Sequence, residues 1–459
     1  MTIPLDNLYD YIFSLTGHTN KNLIMYRFDP HGSKDLRNLI VHNKVEHIMI
    51  KLSSTNREVL SNHYKVLICH DQEPLAFDLY TNDLESRKKI FYKISGKVND
   101  MNNSFGQKMS LRKNIAGHPL VPPTLYDSTI LLHSEKKSSD LEKYEQNNFI
   151  GAYYWSHAFI ALDWYRFAKY DTTLNYKFKS CFDKDFNIYC RAWTGSRKYR
   201  LKFLSFLKNH KIDKQSSIFF NEYDNNIHFS KYTTNQKIWT IDTEEKNNIK
   251  KLECVKGKNN SSELSAVYSA NDYQKSAIDV VLETVFDKNK IQLTEKTLRP
   301  IACGKPFLLI SEKGSLEYLK SYGFKTFENL IDESYDQIED PIQRMKSVIE
   351  VMKDISNLDI SSKFNLFYEM HEIADENKKW FFSDEFFNVI NNELKQNLNV
   401  ALKKLDNPEY QTGSQLHFSH RAYCLYEPYL HGHAKKLAER YILEVPEIIE
   451  LSKKNIGKY

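Results

Sequence analysis

Residues 291–336 read IQLTEKTLRPIACGKPFLLISEKGSLEYLKSYGFKTFENLIDESYD and contain the strongest fold signal in this chain. They come just after the β-branched run Ile278–Val285 and include a helix start at Thr294, Glu295 and Lys296. A strand, a turn and a helix in this order are typical of a parallel α/β sheet. Such sheets bind ligands beyond the carboxyl ends of their strands, with phosphate near a helix N-terminus. The block therefore predicts the ligand-facing edge of an α/β domain.

The charged residues at this edge suit a nucleotide diphosphate that carries a sugar. Lys296 can neutralise a phosphate, Arg299 lies one helical turn later, and Glu295 can accept hydrogen bonds from a ribose diol. Glu283 and Thr284 close the preceding strand and are expected to point to the same crevice. The alternatives are a solvated helix face for the Glu-Lys pair and an exposed strand-end acid for Glu283.

A second predicted anion-binding segment is Arg191–Arg197 (RAWTGSR), between a predicted strand and a predicted helix. Its glycine allows a ligand to approach the backbone closely, and its hydroxyls can donate hydrogen bonds. Each of its arginines can donate two hydrogen bonds to phosphate oxygens. The alternative is a capped helix start with surface arginines. The complete predicted donor-binding set is Arg191, Thr194, Gly195, Ser196, Arg197, Glu283, Thr284, Glu295, Lys296, Thr297 and Arg299.

The block 265–336 resembles the C-terminal domain of two-domain GT-B glycosyltransferases, and Glu295-Lys296 resembles the E-K motif of fucosyltransferase-like enzymes. It is also similar to virus- and phage-encoded glycosyltransferases, some of which decorate modified DNA bases. Weaker similarity covers Ser134-Glu135-Lys136 and Tyr153–Arg166. The resemblance implies an α/β protein with two Rossmann-like domains facing a cleft, and a nucleotide sugar as co-substrate without a further cofactor. It leaves the acceptor open among modified DNA, glycan and protein.

The segment His70–Pro74 (HDQEP) follows the apolar run Val66–Cys69 and supplies candidates for the base of glycosyl transfer. Such a reaction needs a group that takes the proton from the acceptor hydroxyl, and a strand-end carboxylate or imidazole can reach it. Asp71 is the first candidate for this base, and His70 and Glu73 are the second-ranked candidates. The alternative makes Asp71 a helix cap.

Acceptor-side residues are predicted at the end of the strand Thr129–Leu132 and in the aromatic helix Tyr153–Tyr170. They are His133, Ser134, Glu135 and His157. A buried core histidine is the alternative for His157. A non-catalytic module that binds a nucleotide sugar or nucleic acid is the alternative for the whole chain.

No metal site is predicted. Asp183-Lys184-Asp185 has a D-x-D spacing, but it precedes the strand Phe186–Cys190, which favours a solvated turn. The histidines of the C-terminal region lack an acid or thiol in ligand spacing. They are His417, His420, His431 and His433.

Composition indicates a globular protein of two α/β domains. The chain has 459 residues, 41% hydrophobic and 27% charged. The predicted parts are an acceptor-side domain over 1–176, a donor domain over 177–395 and a helical segment over 396–459. The resemblance implies that this last segment packs back on the first domain. The formal charge of +5 permits an anionic partner such as DNA without requiring one.

The sequence favours a cytoplasmic protein, in a host or bacterial cytoplasm if the chain is viral, without membrane contact. No apolar run approaches the roughly 20 residues of a membrane span, and the N-terminus lacks the pattern of a signal peptide. Six cysteines without a CxxC motif are expected to be buried thiols.

Further predicted strands are Val45–Leu52, Ser217–Phe220, Lys237–Ile241 and Phe307–Ile310, and further predicted helices are Leu201–Leu207 and Gly314–Tyr322. From Pro341 onward a mostly helical chain is expected.

Overall fold

The computed structural model describes residues 2–17, 23–27, 40–42, 65–72, 74–75, 129–146, 149–176, 182–222, 224, 238–257, 265–286 and 290–405. By Cα packing the chain divides into two compact units. The N-terminal unit comprises 7–133, 140–154 and 394–459, and the C-terminal unit comprises 1–6, 134–139 and 155–393. The predicted divisions at 176/177 and 395/396 stay predictions.

The N-terminal unit contains a five-stranded sheet in the order β2-β1-β3-β4-β5. Its strands are β1 (Leu23–Arg27), β2 (Ile40–His42), β3 (Lys65–His70), β4 (Thr129–His133) and β5 (Phe149–Tyr153). β2 is antiparallel to β1, and the other neighbours are parallel. The predicted strands Val66–Cys69 and Thr129–Leu132 are thereby confirmed, whereas Val45–Leu52 lies outside the described residues.

The C-terminal unit contains a second five-stranded sheet, in the order β10-β9-β6-β7-β8, with every neighbouring pair parallel. Its strands are β6 (Lys184–Cys190), β7 (Ser216–Asn221), β8 (Val255–Gly257), β9 (Ser276–Leu282) and β10 (Phe307–Ile310). All seven residues of β9 are buried, as expected of a parallel strand with both faces covered. An α/β fold with mainly parallel sheets is therefore confirmed.

The strand order places a topological switch point between β6 and β9. From β6 the chain moves outward through β7 to β8, and then returns to the other side of β6 with β9 and β10. The connections that leave β6 and β9 consequently diverge at their carboxyl ends. In open α/β sheets the resulting crevice is where ligands bind.

The described helices follow the predicted alternation. They are α1 (Leu5–Leu15), α2 (Ser139–Gln146), α3 (Ser156–Trp164), α4 (Tyr199–Asn209), α5 (Thr243–Lys250), α6 (Ala270–Lys275), α7 (Glu295–Ala302), α8 (Ser315–Ser321), α9 (Pro341–Asn357), α10 (Ile360–Phe381) and α11 (Asp384–Leu405). The last three confirm the predicted helical chain from Pro341 as far as residue 405. The tail from 416 to 456 lies outside the described residues. None of the described helices has both the length and the apolarity that a membrane crossing needs.

Two element predictions need correction. Lys237–Ile241 is not a strand where it is described, because Ile238 and Trp239 form a turn before α5. Trp239 is nevertheless buried, with its ring near those of Tyr199 and Phe286, which explains the apolar pattern. The predicted helix Tyr153–Tyr170 is shorter: Tyr153 ends β5, and α3 ends at Trp164 before a 3₁₀ turn.

The cysteines that the structure describes are free thiols. Cys69, Cys190 and Cys303 are buried and Cys254 is half-buried. Burial raises the pKa of the Cys190 thiol to about 12, so that it stays protonated at neutral pH. Cys181 and Cys424 lie outside the described residues.

Candidate ligand-binding site at the sheet switch point

The connection after β9 is held by the carboxylate of Glu283, which has no exposed surface. Oε1 accepts hydrogen bonds from the Thr294 amide (2.9 Å) and the Thr297 hydroxyl (2.6 Å). Oε2 accepts them from the Thr284 amide (2.9 Å) and the Thr294 hydroxyl (2.8 Å). Glu283 therefore fastens the end of β9 to the start of α7. The alternative interpretation of Glu283 as an exposed strand-end acid is therefore wrong.

Thr294 connects this carboxylate to Lys296. Its hydroxyl caps α7 by accepting from the Lys296 amide (3.3 Å), and it lies 3.4 Å from the Lys296 ammonium. Because the same hydroxyl donates to Glu283, its hydrogen is directed away from Lys296 and its lone pairs face the helix start. The result is a fixed helix N-terminus with a cation beside it.

Glu295 is engaged inside the protein rather than on a solvated face. Its Oε1 accepts from Lys296 Nζ (2.8 Å), and its Oε2 lies 3.3 Å from Nδ1 of His157 on α3. Burial alone would raise the pKa of Glu295, but Lys296 and His157 hold it well below its usual range. A quarter of the Lys296 side chain stays exposed, at 26%. The structure thus brings His157 to the predicted donor residues.

Two guanidinium groups lie over the ring of Tyr189, near the carboxyl end of β6. Arg191 is 4.7 Å and Arg299 is 4.5 Å from the ring centroid. Burial lowers the pKa of Arg191, and the positive charge of Arg299 lowers it further. An anion bound beside Arg191 would oppose both effects.

Arg299 itself is fixed by neighbours that the sequence did not single out. Its Nε donates to the Tyr273 hydroxyl (3.0 Å), and Nη2 lies 3.9 Å from Asp279 Oδ2. Burial raises the pKa of Asp279, while Arg299 and a hydrogen bond from Asn187 (2.7 Å) oppose that rise. Asp279 interrupts the apolar run Ala277–Leu282, and that interruption is the signal by which it could have been found.

The segment Arg191–Arg197 leads from β6 into a 3₁₀ turn over Gly195–Lys198 and is bound to Asp224, just beyond β7. Oδ2 of Asp224 accepts from the Trp193 amide (2.5 Å), the Thr194 amide (2.7 Å) and the Thr194 hydroxyl (2.9 Å). Gly195 has φ +67°, a left-handed conformation that favours glycine. Thr194 therefore serves the loop. Arg197 is buried, and the side chain of Ser196 lies outside the described part of the chain.

In the N-terminal unit, Asp71 is fully buried directly after β3. Both of its oxygens lie 3.2 Å from the Tyr9 hydroxyl, and Oδ2 also accepts a hydrogen bond from Tyr154. The pKa of Tyr154 is raised well above its usual value by burial and by the charge of Asp71. Among the described residues 71, 72, 74 and 75 none is helical, which disfavours the capping alternative.

The parallel register explains how the neighbouring candidates lie. His70 pairs with His133 across β3 and β4, and His133 pairs with Tyr153 across β4 and β5. Nε2 of His70 lies 3.2 Å from the Pro74 carbonyl oxygen. Glu73, the third candidate for the base, lies outside the described residues.

Ser134 and Glu135 belong to the C-terminal unit, where residues 136–137 bridge to Ile291. The Lys136 amide donates to the Ile291 carbonyl (2.8 Å), and the Ile291 amide donates to the Lys137 carbonyl (3.0 Å). Close by, Oε1 of Glu135 lies 3.5 Å from Nζ of Lys290, and both side chains are buried. These two acceptor-side predictions therefore share a unit with the predicted donor residues.

The D-x-D segment does not gather ligands. Asp185 lies inside β6 and binds Lys363 at 2.8 Å. Among the described residues, no group of three or more His, Cys, Asp or Glu side chains is placed to hold a metal ion. His417, His420, His431 and His433 lie outside the described residues.

No family model matches this chain, and no curated protein is significantly similar to it.

Proposed function

We propose that this protein is a GT-B type glycosyltransferase that transfers a sugar from a nucleotide sugar to an acceptor hydroxyl. One observation supports this most: a partly exposed cation, a capped helix start and two arginines lie in the segments that follow the carboxyl ends of β6 and β9. The groups are Lys296, the start of α7, Arg191 and Arg299. This is the position at which open α/β sheets bind nucleotides, and its charge suits a diphosphate.

In the proposed reaction the acceptor oxygen attacks the anomeric carbon, and the bond from that carbon to the phosphate oxygen breaks. The nucleoside diphosphate leaves with the bonding electrons. Lys296, Arg191 and the N-terminus of α7 stabilise its negative charge. A base removes the proton of the acceptor hydroxyl. The C-terminal unit thus binds the donor and the N-terminal unit, with Asp71 as the proposed base, serves the acceptor.

The structure changes the proposed roles of three predicted donor residues. The Glu283 carboxylate accepts hydrogen bonds from the Thr284 amide and the Thr297 hydroxyl, so these groups are already engaged within the protein. We assign them to positioning the start of α7. Direct contact with the donor is assigned to Lys296 and Arg191, and Arg299 adds positive charge beside the same Tyr189 ring.

Nucleotide affinity tests the proposal. Lys296→Ala removes a charge-assisted phosphate contact worth about 1.5–3 kcal/mol. The affinity for UDP or GDP, measured by calorimetry, is expected to fall roughly tenfold to a hundredfold. Lys353→Ala is the matched control, because it removes a lysine from the exposed surface of α9 in the same unit. Equal affinity in both variants would refute the assignment of Lys296.

The competing function is a non-catalytic module that binds a nucleotide sugar. Such a protein would bind UDP- or GDP-hexoses as tightly as the proposed enzyme. It would release no free nucleotide in the presence of glycan, protein or modified-DNA acceptors. If neither nucleotides nor nucleotide sugars bind the unsubstituted protein, both functions are excluded.

A further inference from the structure

A buried polar cluster of Ser134, Glu135, Lys290 and Gln292 lies beside the connection that leads from β9 to α7, and the proposed phosphate contacts do not use it. Gln292 is 1% exposed and Ser134 is 1% exposed. Among the described residues, the two amide atoms of Gln292 and the hydroxyl of Ser134 have no hydrogen-bond partner. Folded proteins rarely leave three such atoms unpaired in one neighbourhood, because each has lost its bonds to water.

The backbone places the two segments that carry these side chains alongside one another. The pair of hydrogen bonds between residues 136–137 and Ile291 lays the segment 134–137 alongside 290–292. The Glu135–Lys290 ion pair joins the same two segments. Gln292 lies two residues before Thr294, the cap of α7. The cluster is therefore adjacent in the chain to the proposed phosphate site, in the same unit.

The chemistry of the cluster indicates what it recognises. The Gln292 amide offers a donor group and an acceptor, and the Ser134 hydroxyl offers one of each. Glu135 disfavours a second anion here, and Lys290 disfavours a metal cation. A group with several hydroxyls can donate to and accept from all of these side chains. Polyhydroxyl compounds fit this cluster better than phosphates or metals do.

We propose that Gln292 and Ser134 bind hydroxyl groups of the sugar that the donor nucleotide carries. This inference rests on the proposed function. Because both side chains are almost fully covered, this inference requires the 290–293 segment to move aside when the sugar enters. The unpaired amide makes the covered arrangement less favourable, and binding of the sugar relieves this.

The test compares nucleotide with nucleotide sugar. UDP, GDP, UDP-glucose and GDP-fucose are titrated by calorimetry into the unsubstituted protein, Gln292→Leu and Ser356→Ala. Leu is close to Gln in size but makes no hydrogen bonds. Ser356 on α9 is the control, since its buried hydroxyl also has no partner among the described residues.

We expect one nucleotide sugar to bind the unsubstituted protein at least tenfold more tightly than its free nucleotide. Gln292→Leu should abolish that difference, leave the affinity for the free nucleotide within twofold, and keep or raise the melting temperature. Ser356→Ala should retain the difference. If Gln292→Leu also retains it, or if the sugar adds no affinity in the unsubstituted protein, the inference is overturned while nucleotide binding stands. If nothing binds, the proposed function itself fails.

Discussion

The carboxylate of Glu283 accepts four hydrogen bonds, three from the segment that leads into α7 and one from Thr297 in the first turn of that helix. A residue that looks like a ligand contact from its strand-end position thus acts on Lys296 through Thr294. The chain of bonds runs from a buried anion, through a hydroxyl, to the helix start and its cation. Such an arrangement fixes a binding group before the ligand arrives, which reduces the ordering cost of binding.

This chain of bonds predicts that Glu283 and Lys296 are coupled. Glu283→Gln places an NH₂ group against hydrogen-bond donors, so it should lower both the melting temperature and the affinity for UDP or GDP. In a Lys296→Ala background, the same substitution should lower nucleotide affinity little further, because the group through which it acts is already gone. Calorimetry on the four members of this double-mutant cycle measures the coupling. Independent, additive losses would contradict it.

Asp71 is either the catalytic base or an anchor for two tyrosines, because Tyr9 and Tyr154 both bond to it. If it is the base, Asp71→Asn should lower turnover by roughly a hundredfold to ten-thousandfold, with donor affinity unchanged. Tyr9→Phe is the control, since it removes one phenol contact and keeps the carboxylate, and it should retain most activity. Comparable losses of activity and of melting temperature in both variants would make Asp71 an anchor for the tyrosines.

Residue identities at strand ends could be predicted from the sequence, but their partners could not. Asp71, Glu283 and Arg191 all lie where the apolar runs suggested. The bonds from Tyr154 to Asp71 and from Thr297 to Glu283 depend on strand register and on the path of a loop. No local pattern encodes either. The apolar segment around Trp239 fails as a strand for the same reason, since its burial comes from distant rings.

At the scale of elements, α7 is short and depends on its first turn. It has eight residues with Pro300 inside, and Thr294 caps it. Thr294→Val keeps the shape but removes the cap and one hydrogen bond to Glu283. Loss of a cap costs about 0.5–2 kcal/mol, so the free energy of unfolding should fall by an amount in this range or more, because a bond to Glu283 is lost as well. Nucleotide affinity should fall with it, because the α7 start is the proposed phosphate site.

A cap elsewhere in the same unit separates these two effects. Asp340 caps α9 by accepting from the Gln343 amide at 2.7 Å. Asp340→Ala should lower stability in urea unfolding and leave nucleotide affinity unchanged. If Asp340→Ala weakens nucleotide binding as much as Thr294→Val does, the effect reports general destabilisation rather than the α7 start.

The strands β6, β7, β9 and β10 lie where the sequence predicted them, because buried parallel strands are largely apolar runs. The order of those strands was beyond the sequence. Nothing local distinguishes β9 beside β6 from β9 beside β8, although this choice creates the switch point. The ligand-binding crevice could therefore be located only from the strand order in the structure.

For the molecule as a whole, two buried groups make opposite contributions to the pH dependence of stability. Burial raises the pKa of Asp336 to about 7, and burial lowers the pKa of His371 to about 3. Between about pH 4 and 7 the folded protein keeps the Asp336 proton that the unfolded chain has lost, so stability falls as pH rises. Between about pH 3 and 6.5 the unfolded chain holds a proton on His371 that the folded protein lacks, so stability rises with pH.

These contributions oppose one another over about pH 4 to 6.5. Asp336→Asn removes the falling contribution and keeps an oxygen for the Leu316 amide. Relative to the unsubstituted protein, its free energy of unfolding should therefore rise with pH across this window, by up to about 1.4 kcal/mol per pH unit. Urea unfolding at pH 4, 5, 6 and 7 measures the difference. A difference that does not change with pH would show that Asp336 titrates normally.

The position of β6 between β7 and β9 also bears on how the chain folds. One neighbour follows it closely along the chain, but the other is reached only after residues 191–275 have passed. Closing so long a loop has an entropic cost that is offset only once β9 pairs with β6. Folding is therefore slow, as it is for proteins of high contact order in general. During synthesis, β6 and β7 can pair while the edge of β6 that will bind β9 is still unpaired. Until residue 282 has emerged, that side of β6 has unpaired backbone groups, and such an edge favours association with other nascent chains.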